Sequence, residues 1–323
     1  MYKVSILIPI YNASGFIEKC AESVFSQTFE SIEYIFVDDC TPDDSIQKLN
    51  QVLERFPHRK NAVTLLQNEK NKGISYSRQR AFDVATADYF LAMDSDDWIE
   101  PDMIENLYNK AIETNADMVY SPYFEEYPNG ESKIIEPKFS TNKTELIYNA
   151  LMGFSSYWNK LISRKVMTDN NVKTLEGVSY ADDLVVVVKL LYYSARFAEV
   201  KNPFYHYVIY NQHSITKKKS NTRHIIDQLL VVQEVERFLK SKPDFEDYTK
   251  MLIELKSLRK VRIIRSTFGD AQYLSLFPEI NRHIASLPFP LKSKIILKLS
   301  AHNQHFLLKN FLKLLGLLRN IVE

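Results

Sequence analysis

The feature that most constrains the fold is a regular alternation of apolar runs and amphipathic segments through the first 120 residues. Short runs rich in β-branched residues predict buried strands at 4–9, 32–39, 62–67, 88–94 and 117–120. Segments with helical periodicity lie between them, at 14–27, 42–56, 73–85 and 101–115. Because the connections are short, this alternation predicts an α/β fold with a mostly parallel sheet covered by helices on both faces.

The pattern changes after about residue 125. Helices are predicted at 142–154 and at 182–195, the second because its length and its Asp-Asp start outweigh a valine run. The aromatic stretch 197–210 is predicted to be extended, and the chain from about residue 220 is predicted to be helical. We therefore expect a first domain over 1–216 and a helical C-terminal region over 217–323.

Composition excludes several classes of protein. The 41 Lys and Arg residues nearly balance the 40 Asp and Glu residues, which argues against a nucleic-acid-binding protein. Two cysteines, Cys20 and Cys40, exclude a disulfide framework and favour a reducing cytoplasm. Runs of about 18 apolar residues are missing, so no membrane span is expected. The apolar run at the N-terminus is too short for a signal peptide and is predicted to be the first strand.

Polar side chains follow three of the predicted strands at the point where each strand ends. Tyr11 and Asn12 follow the first strand, Asp38 and Asp39 end the second, and an acidic run at 94–97 ends the fourth. Ligands of parallel α/β sheets gather at the carboxyl ends of the strands. The sequence therefore predicts a binding site at this edge of the sheet.

The acidic run "DSDD" has two interpretations that the residues alone leave open. Asp94 and Asp96 alternate, so in an extended segment both carboxylates point to one side and could hold Mg²⁺ or Mn²⁺. The alternative is a solvated turn in which Asp96 or Asp97 caps the helix that begins near Pro101.

Three other side chains near the predicted edge also have paired interpretations. Tyr11 could stack on a flat base or pack on the core. Asp39 could accept from a base imide N–H or form an Asx-turn. Arg78 could bind a diphosphate through its fork of donors or lie on a solvated helix face.

The second half of the first domain carries further candidates. Asp182 and Asp183 begin a helix, where one could act as a general base or as a cap. Trp158, close to Lys160, suits a sugar ring but equally suits the core. His213 is a lone histidine, and such a residue is more often structural than a ligand.

Six segments, taken in order and spacing, resemble the inverting family 2 glycosyltransferases of the GT-A fold. They are "VSILIPIYN", "VDDCTPDDS", "NKGISYSRQRA", "FLAMDSDDW", "WNKL" and "YADDL", and the resemblance covers about residues 1–216. It implies a nucleotide-binding α/β/α sandwich with a C-terminal helical extension. Residues 1–120 would form the nucleotide-sugar-binding half and residues 121–216 the acceptor-side half.

The resemblance also implies a role for each matching residue. The nucleotide and donor would be bound by Pro9, Tyr11, Asn12, Asp39, Arg78, Asp94 and Ser95. The divalent cation, Mn²⁺ or Mg²⁺, would be held by Asp96, with Asp94 and His213 as further candidate ligands. Asp183 would be the catalytic base, Asp182 the alternative base or its support, and Trp158 and Lys160 would lie on the acceptor side.

Five positions depart from the family pattern. Cys40 and Ala181 stand where the family usually has glycine, and Asp182 stands where it has glutamate. Ser77 and Gln79, on either side of Arg78, stand where the family has alanine and asparagine. None of these changes removes a carboxylate or the arginine, so we expect activity to be retained.

The resemblance implies a metal-dependent hexosyl- or N-acetylhexosaminyltransferase. It would move sugar from a nucleotide-diphosphate donor, usually UDP-linked, to a hydroxyl of a glycan or lipid-linked glycan, in capsule, O-antigen or exopolysaccharide synthesis. The alternative is a non-catalytic nucleotide- or sugar-binding relative that acts as a scaffold. A dehydrogenase is excluded, because the seven glycines form no GxGxxG motif.

The last part of the chain is basic and apolar. From Lys292 to Arg319 there are six Lys and Arg residues and no acidic residue. Two helices of this kind could lie on the inner face of an anionic cell membrane, giving the enzyme a peripheral location. The alternative is that they pack on the catalytic domain or on a partner chain.

Overall fold

The structure is a computed structural model that describes residues 2–211 and 222–322, with side chains up to residue 316. The chain divides into two compact units, residues 1–218 and residues 219–323.

The first unit contains eleven strands and seven α-helices among its described residues. The strands are β1 (Val4–Ile10), β2 (Ile32–Asp38), β3 (Val63–Gln67), β4 (Tyr89–Ala92), β5 (Trp98–Ile99), β6 (Met118–Tyr120), β7 (Tyr123–Glu126), β8 (Ser132–Ile135), β9 (Lys160–Ser163), β10 (Phe197–Glu199) and β11 (Tyr205–Val208). The helices are α1 (Ile17–Phe25), α2 (Ser45–Glu54), α3 (Ile74–Val84), α4 (Met103–Thr114), α5 (Lys143–Met152), α6 (Arg164–Asp169) and α7 (Asp182–Tyr193).

Seven strands form the central sheet, in the order β10-β6-β9-β4-β1-β2-β3. All neighbouring pairs are parallel except those of β9, which lies antiparallel between β6 and β4. The mostly parallel α/β sheet predicted from the sequence is therefore confirmed, and the polar ends of β1, β2 and β4 lie at one edge.

The core of the first unit follows the alternation of β1. Val4, Ile6, Ile8 and Ile10 belong to one buried cluster with the apolar faces of α1, α2 and α4. Side chains at alternate positions of a strand point to opposite faces of the sheet, so Leu7 faces away from this cluster. Helix α3 packs on β1 and β2 but contributes nothing to this cluster, which leaves it to cover the other face.

A second, four-stranded sheet has the order β5-β11-β7-β8. Strand β11 pairs antiparallel with β5, which follows the acidic run directly, and parallel with β7. His206 of β11 lies between the rings of Trp98 and Phe124, at centroid distances of 4.9 and 4.5 Å. Its ring nitrogens are hydrogen-bonded to Glu126 (2.7 Å) and Glu100 (2.9 Å). This sheet brings the chain around residue 205 to the acidic run.

The second unit is helical. Its α-helices are α8 (Thr222–Lys240), α9 (Thr249–Ser266), α10 (Leu291–Ala301) and α11 (His305–Val322). A separate buried cluster joins α9, α10, α11 and the 3-10 helix Pro278–His283. Within the described ranges, no helix combines the length and the apolar character that crossing a bilayer requires.

Candidate active site

The end of β1 presents an aromatic ring next to a tight backbone turn. Pro9 is buried within β1, and the Tyr11 ring is 49% exposed, so it is not part of the core. Asn12 has a left-handed backbone (φ 55°), and its N–H donates to Thr41 Oγ1 at 2.8 Å. This bond ties the turn after β1 to the turn after β2.

Asp39 is buried at the end of β2 and organises the loop before α3. Its Oδ1 accepts from Asn68 Nδ2 (2.6 Å) and from the Lys72 N–H (2.8 Å), and its Oδ2 accepts from the Gly73 N–H (2.8 Å). An oxygen of a carboxylate can accept two hydrogen bonds. Oδ2 therefore keeps the capacity to accept one more donor, as from a base.

Arg78 links the acidic run to the start of α7. The side chain is buried on α3, and its Nη2 lies 2.5 Å from Asp94 Oδ1 while its Nη1 lies 2.9 Å from Asp182 Oδ2. The guanidinium carbon lies 5.0 Å from the ring centroid of Tyr157, within the range of a cation–π contact. The solvated-helix interpretation of Arg78 therefore does not describe this structure.

Two buried polar atoms beside this ion pair have no internal partner. Among the residues that the structure describes, neither Arg78 Nε nor the Tyr157 hydroxyl forms a hydrogen bond. Buried polar groups are nearly always hydrogen-bonded in native proteins. The Arg78 ion pairs therefore sit beside two polar atoms that are enclosed and unsatisfied within the described residues.

The carboxylates of Asp94, Asp96 and Asp97 form a cluster. The segment 94–97, which also contains Ser95, is called the acidic turn here. One oxygen from each carboxylate lies within 4.8 Å of the others. Burial, together with the charge of Asp94, raises the pKa of Asp96 to about 6, although the Asn211 amide, 2.8 Å away, opposes the change. A hard divalent cation with oxygen ligands would offset this like-charge repulsion, so the residues present fit Mg²⁺ or Mn²⁺.

Asp97 serves β11 rather than a helix. It is 1% exposed, and its Oδ2 accepts from the Tyr205 hydroxyl (2.6 Å) while its Oδ1 accepts from the Val208 N–H (2.8 Å). Burial and the charges of its two acidic neighbours raise its pKa well above the usual range. The alternative in which Asp97 caps the next helix does not describe this structure, because both of its oxygens accept hydrogen bonds from β11 and Asp102 is the residue that precedes α4.

Helix α7 begins with the two aspartates singled out in the sequence. Asp182 is buried against Arg78, whereas Asp183 is half-buried in the same turn. Consecutive helical residues differ by about 100° in direction, so the two carboxylates do not point to the same place. Ala181, which precedes them, has a left-handed backbone with φ 61°. Cys40 also stands where the family has glycine, and it too is left-handed (φ 58°).

Trp158 and Lys160, the two acceptor-side candidates, are largely covered by other parts of the first unit. Trp158 is half-buried and stacks on Tyr205 (4.5 Å) and Tyr207 (5.2 Å). Lys160 is 2% exposed, and its Nζ donates to Asn159 Oδ1 (2.8 Å) and to the Ser156 carbonyl. Burial lowers the pKa of Lys160 to about 7, and the Asp183 charge opposes this fall.

The structure thus brings together Arg78, Asp94, Asp96, Asp97, Asp182 and Asp183 around one edge. His213 lies outside the described residues. Sequence reasoning missed Tyr157, Tyr205 and Asn211, which contact Arg78, Asp97 and Asp96 respectively. An aromatic-rich chain was the only signal for the two tyrosines and there was none for Asn211, because each contact depends on tertiary folding.

Comparison with known proteins places this site in a family context. Residues 5–169 match the family described as Glycosyl transferase family 2. The uncharacterized glycosyltransferase YibD of Escherichia coli K12 is 29% identical over 221 residues, 65% of this chain and 62% of YibD. The poly(ribitol-phosphate) β-N-acetylglucosaminyltransferase TarP of Staphylococcus aureus N315 is 29% identical over 216 residues, 65% of this chain and 64% of TarP. The chain spans less than two thirds of the length of these curated relatives.

Solved structures share the fold. The crystal structure of residues 1–349 of S. aureus TarS has a TM-score of 0.72 at 18% identity, covering 95% of this chain and 90% of that one. The same TarS segment in complex with UDP-GlcNAc also has a TM-score of 0.72, with the same coverage and 17% identity. At this identity the likeness establishes the GT-A arrangement alone.

Proposed function

The chain belongs to glycosyltransferase family 2, and from this premise we propose that it is an inverting glycosyltransferase acting on a nucleotide-diphosphate sugar. The observation that carries the proposal is the bridge from Asp94 through Arg78 to Asp182. It joins the acidic turn, suited to a cation and diphosphate, to the helix start that carries a second half-buried carboxylate. The parts needed to activate a leaving group and an incoming hydroxyl thus converge.

The donor is proposed to be a UDP-sugar carrying a hexose or an N-acetylhexosamine. Tyr11 would stack on the base, Asn12 and Pro9 would shape its binding turn, and Asp39 would accept from the base through the remaining acceptor position of Oδ2. The TarS complex with UDP-GlcNAc supports this donor class. Arg78, whose Nη2 lies at Asp94, would place its positive charge next to the diphosphate beside Ser95.

A divalent cation is included in the proposal. Asp96 and Asp94 would hold it, while Asp97 stays engaged by β11. When bound, the cation offsets negative charge on the leaving diphosphate. Arg78 adds fixed positive charge at the same place, where preorganised charge counts most.

Asp183 is proposed as the general base. Its neighbour Asp182 is buried and paired with Arg78, whereas Asp183 is the more exposed carboxylate of the same turn. The Asp183 carboxylate would take the proton of the acceptor hydroxyl as that oxygen attacks the anomeric carbon. The bond to the diphosphate breaks on the opposite face, so the configuration inverts. Trp158 and Lys160, which are half-buried and buried, would lie under the acceptor side of the site and fix the position of the residues that form it.

The acceptor is proposed to be a glycan or lipid-linked glycan in the synthesis of a surface polysaccharide. The similarity to TarP, a poly(ribitol-phosphate) β-N-acetylglucosaminyltransferase, supports a polymer as the general class of acceptor. The proposed location is the cytoplasm, at the inner face of the cell membrane. The free, exposed thiol of Cys40 fits a reducing compartment.

The test is a panel of nucleotide-sugar donors scored for hydrolysis with and without Mn²⁺ or Mg²⁺. We expect Asp96→Ala to abolish the metal-stimulated rate. Asp183→Asn should lower transfer by about 10²- to 10⁴-fold, the usual contribution of a general base. Calorimetry should show that Asp183→Asn still binds UDP.

Asp169→Asn is the matched control, since Asp169 is an exposed carboxylate on α6. Wild-type rates in Asp96→Ala or Asp183→Asn would remove the role assigned to that residue. The scaffold alternative is not favoured, because the cluster of carboxylates and the arginine are retained and assembled. UDP binding without turnover on any donor would reverse that preference.

A further inference from the structure

A basic cavity lies in the second unit, between α10 and the 3-10 helix Pro278–His283. Its volume is about 500 Å³, and its lining includes Arg282, Lys298 and His302 together with Ile284 and Ala285. None of the described residues that line it is acidic. A cavity with cationic donors and no carboxylate is suited to an anion that carries several acceptor oxygens.

The same face of α10 continues the basic character. Lys294 lies one turn before Lys298, and its Nζ donates to the Ala285 carbonyl at 2.9 Å, which holds the cavity wall against the helix. Lys298 and Arg282 are both exposed. The two cationic groups are therefore accessible to a ligand that approaches from solvent.

Helix α11 exposes large apolar side chains. Phe306 is 76% exposed, and Leu307 and Leu314 are each 52% exposed. Leu307 and Leu314 are seven residues apart and therefore lie almost in line along the helix, whereas Phe306 lies about a quarter of a turn to one side of them. None of the three belongs to the buried cluster of the unit, which α11 joins through Leu308 and Leu312.

Charge flanks this apolar face. Lys309 and Lys313 are exposed on α11 beside the apolar side chains. From Lys292 to Arg319 the sequence contains no acidic residue. An apolar stripe bordered by lysines is the pattern of a helix that lies in the plane of a bilayer interface, and an anionic surface complements its charge.

We propose that α10 and α11 bind the surface of an anionic phospholipid bilayer, with the basic cavity receiving a lipid phosphate. Phe306, Leu307 and Leu314 enter the acyl boundary, while the lysines contact headgroups. The proposal specifies the membrane contact that is part of the proposed function, and it does not depend on the transfer chemistry.

The test is co-sedimentation of the full chain with phosphatidylcholine vesicles that either contain or lack phosphatidylglycerol. Wild type should bind the anionic vesicles and release them as salt concentration rises. Arg282→Gln with Lys298→Gln should weaken partition by about 25-fold, since each basic residue near an anionic surface contributes about fivefold. Phe306→Ser with Leu314→Ser should weaken it by at least about tenfold.

Matched controls come from the first unit. Lys165→Gln removes an exposed charge on α6, and Ile134→Ser removes an exposed apolar side chain on β8; both should bind as wild type. Donor hydrolysis without vesicles is measured for every variant and should stay unchanged. A failure of the glycosyltransferase proposal would appear in that assay, not in sedimentation.

Three results would overturn the inference. The first is equal sedimentation of wild type with both kinds of vesicle. The second is unchanged binding of both double variants. The third is self-association of wild type without vesicles that Phe306→Ser with Leu314→Ser abolishes, which would make a second copy of the chain the occupant of this face.

Discussion

Arg78 and Lys160 are both buried cations of the first unit, yet their surroundings differ. Arg78 is held by two carboxylates, those of Asp94 and Asp182. Lys160 is held by a side-chain amide oxygen and a backbone carbonyl, both neutral. A buried ion needs a partner of opposite charge, and without one it tends to lose its own charge.

The difference divides the site into a fixed part and a titratable part. A guanidinium stays protonated in proteins, so the region around Arg78 has a permanent positive charge. Burial instead lowers the pKa of Lys160 to about 7, with the Asp183 charge opposing the fall. The acidic turn is thus organised by the constant charge of Arg78. The charge of Lys160, which interacts with Asp183, instead changes close to neutral pH.

The largest expected effect is a difference in the free energy of unfolding between variants that remove each of the two buried cations. Arg78→Met leaves two carboxylates unpaired and should lower the free energy of unfolding by about 3–5 kcal/mol, as the loss of one partner of a buried ion pair does. Lys160→Met leaves only neutral acceptors unpaired and also removes the cost of burying an ammonium group, so it should lower the free energy of unfolding by less than about 1 kcal/mol at pH 7. Urea unfolding of both variants measures the difference.

Asp182→Asn in the Arg78→Met background is the control. It removes one of the stranded charges, so the double variant should recover part of the loss, as expected for side chains in direct contact. Equal losses in Arg78→Met and Lys160→Met would mean that the two regions do not differ in the way their partners indicate.

The next effect concerns pH. Unfolded lysine keeps its proton up to about pH 10.5, whereas folded Lys160 releases it near pH 7. Between these values the unfolded chain binds more protons, so Lys160 makes stability rise with pH. From pH 7 to pH 9 its contribution should be about 2 kcal/mol. Urea unfolding at both pH values should show this increment in wild type.

Lys160→Met supplies the reference for that measurement, because all other titrating groups are common to both proteins. The variant should lack the increment attributed to Lys160. An identical rise in wild type and Lys160→Met would show that Lys160 keeps its proton when folded, as Arg78 does.

The smallest effect concerns backbone strain at Ala181, the residue directly before Asp182. It tests whether this strain, in addition to the ion pair with Arg78, affects the position of Asp182. Ala181 has φ 61°, a conformation that costs an L-residue more than glycine. Ala181→Gly should raise the free energy of unfolding by about 1 kcal/mol. Ala85→Gly, at an ordinary φ of −63°, should lower it instead. Thermal unfolding compares them; no gain in Ala181→Gly would leave the Arg78 contact as the sole constraint.

Local pattern was enough to predict five of the seven strands of the central sheet. The strands β1, β2, β3, β4 and β6 and the helices between them follow from hydrophobic period and short connections. The valine run of α7 was correctly predicted as helix. The position of the acidic turn was also predicted, because in a parallel sheet the carboxyl ends of the strands lie at one edge.

Contacts between distant residues could not be predicted in this way. Strand β9 enters the central sheet antiparallel, which its four residues do not signal. For Asp97 the sequence offered a local cap as one alternative, whereas its partners Tyr205 and Val208 lie on a strand that pairs beside it only after the chain has folded. The burial of Arg78 likewise depends on Asp182, 104 residues away.

The hydrogen bonds of Asp97 also have a consequence for the order of folding. They close loops of 108 and 111 residues, to Tyr205 and Val208. Closing such loops costs chain entropy before the contact contributes anything, so contacts of this range form late. During synthesis the acidic turn emerges early, but it reaches its final geometry only after β11 has been made and has paired. The acidic turn is therefore completed only when the chain through β11 has folded.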